Sequence, residues 1–192
     1  TADVEDVQPD PALVEEYRAL LLTQYDSEVR YLDQAFGELL ELLREHGALE
    51  DAVLAFTSDH GEEFFEHRFF SHGGHLYEET LGVPLVLAGF GRSDIPAGVV
   101  EHPVGNRDLL PTLCALAGVE VPANPLLGSP LAAGHEHRPV FGQTFHGHEP
   151  SRGREFVEKL SVTAGHEKLI HTPALRRTEL YDRSVDPTEQ RD

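Results

Sequence analysis

The sequence predicts an α/β fold, a mixed sheet with flanking helices, followed by a small antiparallel β subdomain. Apolar residues recur at three- and four-residue steps between positions 12 and 46, as in one long amphipathic helix. Two short continuous apolar runs, Val53–Thr57 and Val83–Ala88, are typical of buried strands. Beyond residue 138, short segments alternate with turns, which favours antiparallel strands. We therefore predict an α/β part over residues 1–125 and a β subdomain over residues 126–192.

The first helix is predicted over Ala12–His46, after an acidic tail of ten residues. Asp10 can cap the helix and Pro11 suits its first position, because proline has no N–H to leave unpaired there. Gly47 is placed to end the helix. One apolar stripe, on which we expect the helix to pack, consists of Val29, Leu32, Phe36, Leu39, Leu40 and Leu43.

The two apolar runs are predicted to form buried, parallel strands, since they carry almost no polar residue. Pro84 must then lie near the start of the second strand, where a missing donor is tolerated. A second helix is predicted over Leu109–Ala117, with Asp108 as its N-cap and Gly118 at its end.

The closing part of the chain changes in texture after a Pro-, Gly- and His-rich stretch at 121–138. The turn Ala164–His166 separates two of the short segments, as in a hairpin. The predicted strands are Pro139–Gln143, Phe156–Val162, Lys168–His171 and Glu179–Tyr181.

Composition limits the functions that the chain can have. Its 192 residues include 34 acidic and 15 basic side chains, a formal charge of −19, which argues against binding a nucleic-acid backbone or an anionic membrane. No run of about 18 apolar residues is present to span a bilayer. Cys114 is the only cysteine, so no internal disulfide can form, and we expect it to be a small core residue. The sequence starts at Thr1 and has no Met, from which we expect a chain that is processed or cut from a longer one.

The densest polar group is Ser58–Glu62, directly after the first predicted strand. In open α/β sheets, ligands bind beyond the carboxyl ends of strands. Asp59 and His60 are therefore candidate ligands of a divalent metal, Ca²⁺, Mg²⁺ or Mn²⁺ for the oxygen donor, with the histidine favouring Mn²⁺ or Zn²⁺. Gly61 would let the chain turn away without crowding the site. Alternatively, these are polar loop residues at a strand end.

A histidine-rich loop follows, with His67, His72 and His75 within nine residues. Imidazoles near the metal could neutralise an anionic substrate or protonate a leaving group. Because the chain has 12 histidines, ordinary solvated side chains are the alternative. Two alternating groups, His135–His137 and His146–His148, permit a second metal site, although their Gly- and Pro-rich surroundings favour surface loops.

These motifs together resemble the carboxy-terminal half of the sulfatase family, in the alkaline phosphatase superfamily. The resemblance covers nearly all of residues 25–189 and implies an alkaline-phosphatase-like sheet. The pieces follow the family's order: the helix Tyr25–Leu43, the metal segment Val53–Glu62 (VLAFTSDHGE), the block Glu66–Leu85 (EH…SHGGHLYEE…VPL), the helix Arg107–Gly118 (RDLLPTLCALAG), and the closing Ser161–Pro187 (SVTAGHEKLI…ELYDRSVDP).

The resemblance implies roles for three residues. Asp59 and His60 would bind the divalent metal, and His72 would take the place of the Lys or His that contacts the sulfate or phosphate group. Sulfatases attack with a formylglycine made within a C/S-x-P-x-R motif, which these residues lack. The resemblance thus implies a fragment whose nucleophile and remaining metal ligands lie in the rest of its parent chain, and which we expect to be inactive alone.

The function predicted is that of a metal-dependent sulfuric ester hydrolase acting on an anionic ester. Within the superfamily, the alternatives are a phosphodiesterase, a phosphonate hydrolase, or a phosphoglycerol or phosphoethanolamine transferase, for which the nucleophile would decide. A non-catalytic sulfatase-like binding module is a further alternative. Retention of Asp59, His60 and His72 speaks against it.

Overall fold

The computed structural model describes residues 10–121, 128–131, 138–146 and 157–192. The chain divides into two units, Thr1–Ala48 and Leu49–Asp192. Among the described residues, no helix is both long and apolar enough to cross a membrane. The predicted boundary at 125/126 lies outside the described residues, as do His135–His137 and His148.

The described part of the first unit, from residue 10 onwards, contains one helix, α1 (Pro11–Glu45), close to its predicted bounds. The Asp10 carboxylate accepts a hydrogen bond from the N–H of Ala12 at 2.9 Å, which confirms the predicted cap. Gly47 follows the helix with φ of +68°, a conformation in which glycine carries no steric penalty. The apolar stripe forms, but no residue of α1 is buried, so the expected packing of the stripe does not occur among the described residues.

The second unit opens with a pair of strands, β1 (Ala52–Thr57) and β4 (Leu85–Phe90). They pair antiparallel along their whole length, and every position of β1 is half-buried. The prediction of buried, parallel strands is therefore wrong for this pair. An apolar run indicates a buried strand but not its direction relative to its neighbour. That direction depends on the path of the segment that connects the two strands. Pro84 immediately precedes β4, as predicted.

The connection between these strands holds a small hairpin and one helical turn. Strands β2 (Glu63–Phe64) and β3 (Phe70–Ser71) pair antiparallel, with Glu63 opposite Ser71. Helix α2 (Glu78–Leu81) then brings the chain back towards β4. This connection carries most of the predicted site residues.

Helix α3 (Leu109–Leu116) matches its predicted position, but Asp108 does not cap it. A 3₁₀ turn at Asn106–Asp108 runs directly into the helix, so Asp108 is itself helical. Its buried carboxylate instead accepts hydrogen bonds from the N–H groups of Gly105 at 3.3 Å and Ser129 at 2.8 Å. Gly118 follows α3 with φ of +66°, and Cys114 is half-buried.

The closing strands confirm the predicted antiparallel subdomain. They form one sheet in the order β5-β6-β7-β8. Their bounds are β5 (Val140–His146), β6 (Val157–Ala164), β7 (Glu167–Thr172) and β8 (Arg177–Asp182). Gly165, at φ of +60°, makes the predicted turn between β6 and β7. A buried cluster joins this sheet to the segment before α2 through Leu76, Tyr77, Ile170 and Tyr181.

Candidate metal centre and active site

Asp59 and His60 follow β1 directly and lie on the wall of a cleft of about 680 Å³. The cleft is lined from several directions by the loop at 100–107, by α2 and by strands β5 and β6. The predicted metal segment is thus beside a cavity large enough for a small organic ester.

The two side chains are arranged as ligands of a single cation would be. The Nδ1–H of His60 donates to the carbonyl oxygen of Gly61 at 2.8 Å, which leaves the lone pair on Nε2. This Nε2 lies 3.8 Å from Oδ1 of Asp59. Because metal–ligand bonds are about 2.0 to 2.6 Å long, both donors are within reach of one ion.

Asp59 carries the charge that such an ion requires. Backbone hydrogen bonding at Asp59 itself, electrostatic interaction with the His60 side chain and the N–H of His60 together lower the pKa of Asp59. Its side chain is 86% exposed, so the carboxylate is ionised and open to a ligand. An ionised carboxylate next to an imidazole fits a hard or borderline divalent cation.

The β2–β3 hairpin brings His72 to this pair. Its register, with Glu63 opposite Ser71, sets Glu62 opposite His72. The Nδ1 of His72 lies 3.0 Å from the Glu62 carboxylate, and its ring stacks on that of His60 with centroids 3.9 Å apart. Candidate donor atoms of His60, Glu62 and His72 all lie within 4.8 Å of one another. Glu62 therefore joins the residues that could hold a metal.

A buried carboxylate, Glu63, organises the rest of the loop. One oxygen accepts the N–H groups of His67 and Phe69, each at 3.0 Å. The other lies 2.8 Å from Nδ1 of His75. Burial alone would raise the pKa of Glu63, but the hydrogen bonds and the charge of His75 outweigh it and lower the pKa.

His67 has a structural position. Its Nδ1 lies 2.5 Å from the Glu79 carboxylate and its Nε2 lies 2.9 Å from the carbonyl oxygen of Glu189. Both of these partners accept hydrogen bonds, which favours the form of the ring with a proton on each nitrogen. The side-chain amide nitrogen of Gln190 is a further neighbour of Nε2, at 3.1 Å. Burial opposes the charge, yet the contacts with Glu189 and Glu79 outweigh burial and raise the pKa of His67.

Gly61 is required for a different reason from the predicted one. Its N–H donates to the carbonyl oxygen of Thr80 at 2.9 Å, so the segment runs against α2. A Cβ at this position would lie 2.0 Å from the carbonyl oxygen of Glu79. The glycine allows close backbone approach, and this contact ties the metal segment to α2.

The closing sheet holds the loop from the other side. Thr144 on β5 donates to the carbonyl oxygen of Gly73 at 2.7 Å, and Lys159 on β6 donates to that of Gly74 at 2.6 Å. Burial lowers the pKa of Lys159. The glycine pair between His72 and His75 is therefore fixed rather than left to solvent.

Comparison with known proteins identifies the family. A family model described as Sulfatase matches residues 4–119, more than half of the chain. The chain belongs to the sulfatase family. The alkaline phosphatase superfamily, predicted from the motifs, is implied by that membership.

Similar sulfatases come from several bacteria. Identity is 29% with a choline-sulfatase of Rhizobium meliloti, over 86% of this chain, and 32% with the uncharacterized sulfatase YidJ of Escherichia coli, over 83% of it. The chain spans 31% of the length of each of these relatives. A solved structure of a 2-O GAG sulfatase is similar with a TM-score of 0.61 and 28% identity, over 73% of this chain and 31% of that one.

The sequence singled out Ser58–Glu62 and the histidines, but it gave no separate role to Glu62 or Glu63. It also did not indicate the contact of His75 with Glu63. The clustering of histidines was the available signal. Their acidic partners lie 10 and 12 residues away across a hairpin, and no periodicity in the sequence indicates that hairpin's register.

Proposed function

We propose that this chain forms part of a metal-dependent sulfuric ester hydrolase, with Asp59 and His60 as two ligands of its divalent metal. The observation that carries the proposal is the ionised carboxylate and the imidazole lone pair 3.8 Å apart, on the wall of a cleft, in a member of the sulfatase family. We also propose that the substrate is an anionic sulfate ester.

Each residue then has a defined task. A bound Ca²⁺, Mg²⁺ or Mn²⁺ would supply positive charge to the ester's anionic oxygens and to the nucleophile. Asp59 and His60 would hold that ion at the cleft wall. His72 lies outside the cleft wall but is stacked on His60 and bonded through Nδ1 to Glu62; we propose that it offers Nε2 to the transferring group beside the metal as negative charge develops there.

The nucleophile is proposed to come from elsewhere in the parent protein. No C-x-P-x-R or S-x-P-x-R motif occurs in these 192 residues, so none of them can supply a formylglycine in the manner of the family. We therefore propose that these residues act together with the rest of a longer chain, and that alone they do not turn over substrate.

Metal binding and turnover, measured in the protein that carries this chain, test the proposal. Calcium, magnesium and manganese binding is measured by calorimetry after chelation, and hydrolysis is followed with 4-nitrophenyl sulfate. Asp59→Asn removes the charge of one ligand and His60→Ala removes the other ligand altogether. Each is expected to weaken metal binding and to lower kcat/KM by about 10- to 100-fold.

Asp94→Asn is the matched control, since Asp94 is a surface carboxylate paired with Arg92. It should change neither quantity. Hydrolysis of a phosphodiester or phosphonate ester, without that of the sulfate ester, would move the proposal to the phosphoryl branch of the superfamily. Anion binding without turnover of any ester would favour the binding module.

A further inference from the structure

His75 is held in one orientation by its surroundings. Its Nδ1 lies 2.8 Å from a Glu63 oxygen, and Glu63 is itself fully buried. The ring also packs against Phe69 and Tyr77, with centroids 5.2 Å away in each case. A side chain with one hydrogen bond to a fixed carboxylate and two aromatic neighbours has little freedom to rotate.

The other ring nitrogen of His75 is left for a ligand. Within the described residues, Nε2 of His75 makes no hydrogen bond. The side chain is 20% exposed, and because Nδ1 faces a fully buried carboxylate, the exposed edge is the opposite one. His75 lines the same cleft as Asp59 and His60.

This position differs from that of His72. The ring of His72 is stacked on His60, and His72 is 47% exposed without being part of the cleft wall. A carboxylate behind an imidazole whose far nitrogen faces a cavity is an arrangement that orients a hydrogen bond towards a ligand. Besides His60, the cleft is therefore lined by His75, which takes no part in the stacking of His60 on His72.

We propose that His75 is a substrate-binding residue that donates a hydrogen bond from Nε2 to the anionic group of the ester in the cleft. The inference rests on the proposed function, which it extends by one residue. With Nδ1–H given to Glu63, a neutral His75 would offer only a lone pair at Nε2. Sulfate oxygens accept hydrogen bonds and donate none, so an anion selects the form with a proton on both nitrogens.

Two substitutions separate the role of Nε2 from that of Nδ1. His75→Asn keeps an N–H near Nδ1 that can still reach Glu63, but has no atom at the place of Nε2. His75→Gln instead carries an N–H near the place of Nε2. His166→Ala, in the exposed turn between β6 and β7, is the control.

Calorimetry with inorganic sulfate measures the Kd in the metal-loaded protein that carries this chain, and 4-nitrophenyl sulfate gives kcat/KM. We expect His75→Asn to weaken sulfate binding by about 10- to 100-fold, in the range of a charge-assisted hydrogen bond. His75→Gln should retain much of the affinity, and His166→Ala all of it.

The outcomes distinguish this inference from the proposed function. Sulfate affinity equal to wild type in His75→Asn, or no sulfate binding by wild type, would overturn the inference. Turnover of the ester with unaltered kcat/KM in His75→Asn would leave the proposed function intact and reject the role of His75. Sulfate binding that depends on His75, without turnover of any ester, would support His75 and reject hydrolysis.

Discussion

At the scale of single residues, the site depends on carboxylates that orient three of its histidines. Glu62, Glu63 and Glu79 bind the Nδ1 atoms of His72, His75 and His67 respectively. Each pair uses one ring nitrogen, and only His67 has both nitrogens bound to protein acceptors. His72 and His75 therefore keep one ring nitrogen for a ligand, whereas both nitrogens of His67 are used in contacts within the protein.

His67 should give stability a defined pH dependence. Its folded pKa is raised above the value of about 6.5 expected in the unfolded chain. Its contribution is therefore fully present below about pH 6.5, and it decreases as pH rises through the folded pKa. Urea unfolding between pH 5.5 and 9 should show this decrease in wild type. The contribution of His67 to this decrease in unfolding free energy should be absent in His67→Gln. A pH profile in that variant equal to that of wild type would contradict the assignment.

Gly61→Ala should disturb the proposed metal-binding segment. The new Cβ would overlap the carbonyl oxygen of Glu79 at 2.0 Å, so the backbone must move. We expect the free energy of unfolding to fall by about 1 to 3 kcal/mol, as in overpacked cores, and metal affinity to fall with it. Gly37→Ala in α1 is the control, because no atom lies within 4 Å of its added Cβ. Equal effects of the two substitutions would argue against the close approach as the reason for Gly61.

At the scale of elements, the β2–β3 hairpin and the closing sheet act together on the histidine loop. Thr144→Val removes the hydroxyl that binds the carbonyl oxygen of Gly73. We expect the free energy of unfolding, measured with urea, to fall by about 1 kcal/mol, since a typical hydrogen bond contributes about that much. Thr188→Val, the same change at an exposed position whose hydroxyl bonds to none of the described residues, should leave the free energy of unfolding unaltered.

Elements were predictable where local chemistry specifies them. The cap at Asp10, the glycines at 47 and 118 and the turn at 165 all act on neighbouring residues, and each was located from the sequence. The direction of β1 against β4 and the pairing of Glu63 with His75 depend on how the chain returns between them. Asp59 and His60 were located because they directly follow a strand, whereas their roles as ligands remain predictions.

At the scale of the whole second unit, a buried ion pair secures the last described segment. Lys168 and Glu189 are both fully buried, with Nζ 2.8 Å from a carboxylate oxygen. Burial lowers the pKa of Lys168 and raises that of Glu189, so each charge depends on the other. The second Glu189 oxygen accepts the N–H of Glu78 at 3.0 Å, where α2 begins.

Lys168→Met should cost about 3 to 5 kcal/mol of unfolding free energy, because it removes the nearest cation from a buried carboxylate and leaves Glu189 with Arg183 at 3.7 Å. The double substitution Lys168→Met with Glu189→Leu should lower the unfolding free energy by less than the single change, because it leaves no unpaired carboxylate in the interior. Chemical unfolding measures both. Breaking the exposed Glu41–Arg44 pair of α1 should cost less than about 0.5 kcal/mol, and a comparable loss there would contradict the reasoning.

The contact between His67 and the carbonyl oxygen of Glu189 spans 122 positions of sequence, and this has a consequence for biosynthesis. At about 5 to 20 residues per second, the ribosome needs about 6 to 24 seconds to go from one partner to the other. During that interval the nascent histidine loop has its carboxylate partners but lacks the contact of His67 with the carbonyl oxygen of Glu189. A translational pause before residue 189 would therefore prolong the exposure of the loop to proteases and chaperones, and slow codons in that stretch would affect yield without altering a single side chain.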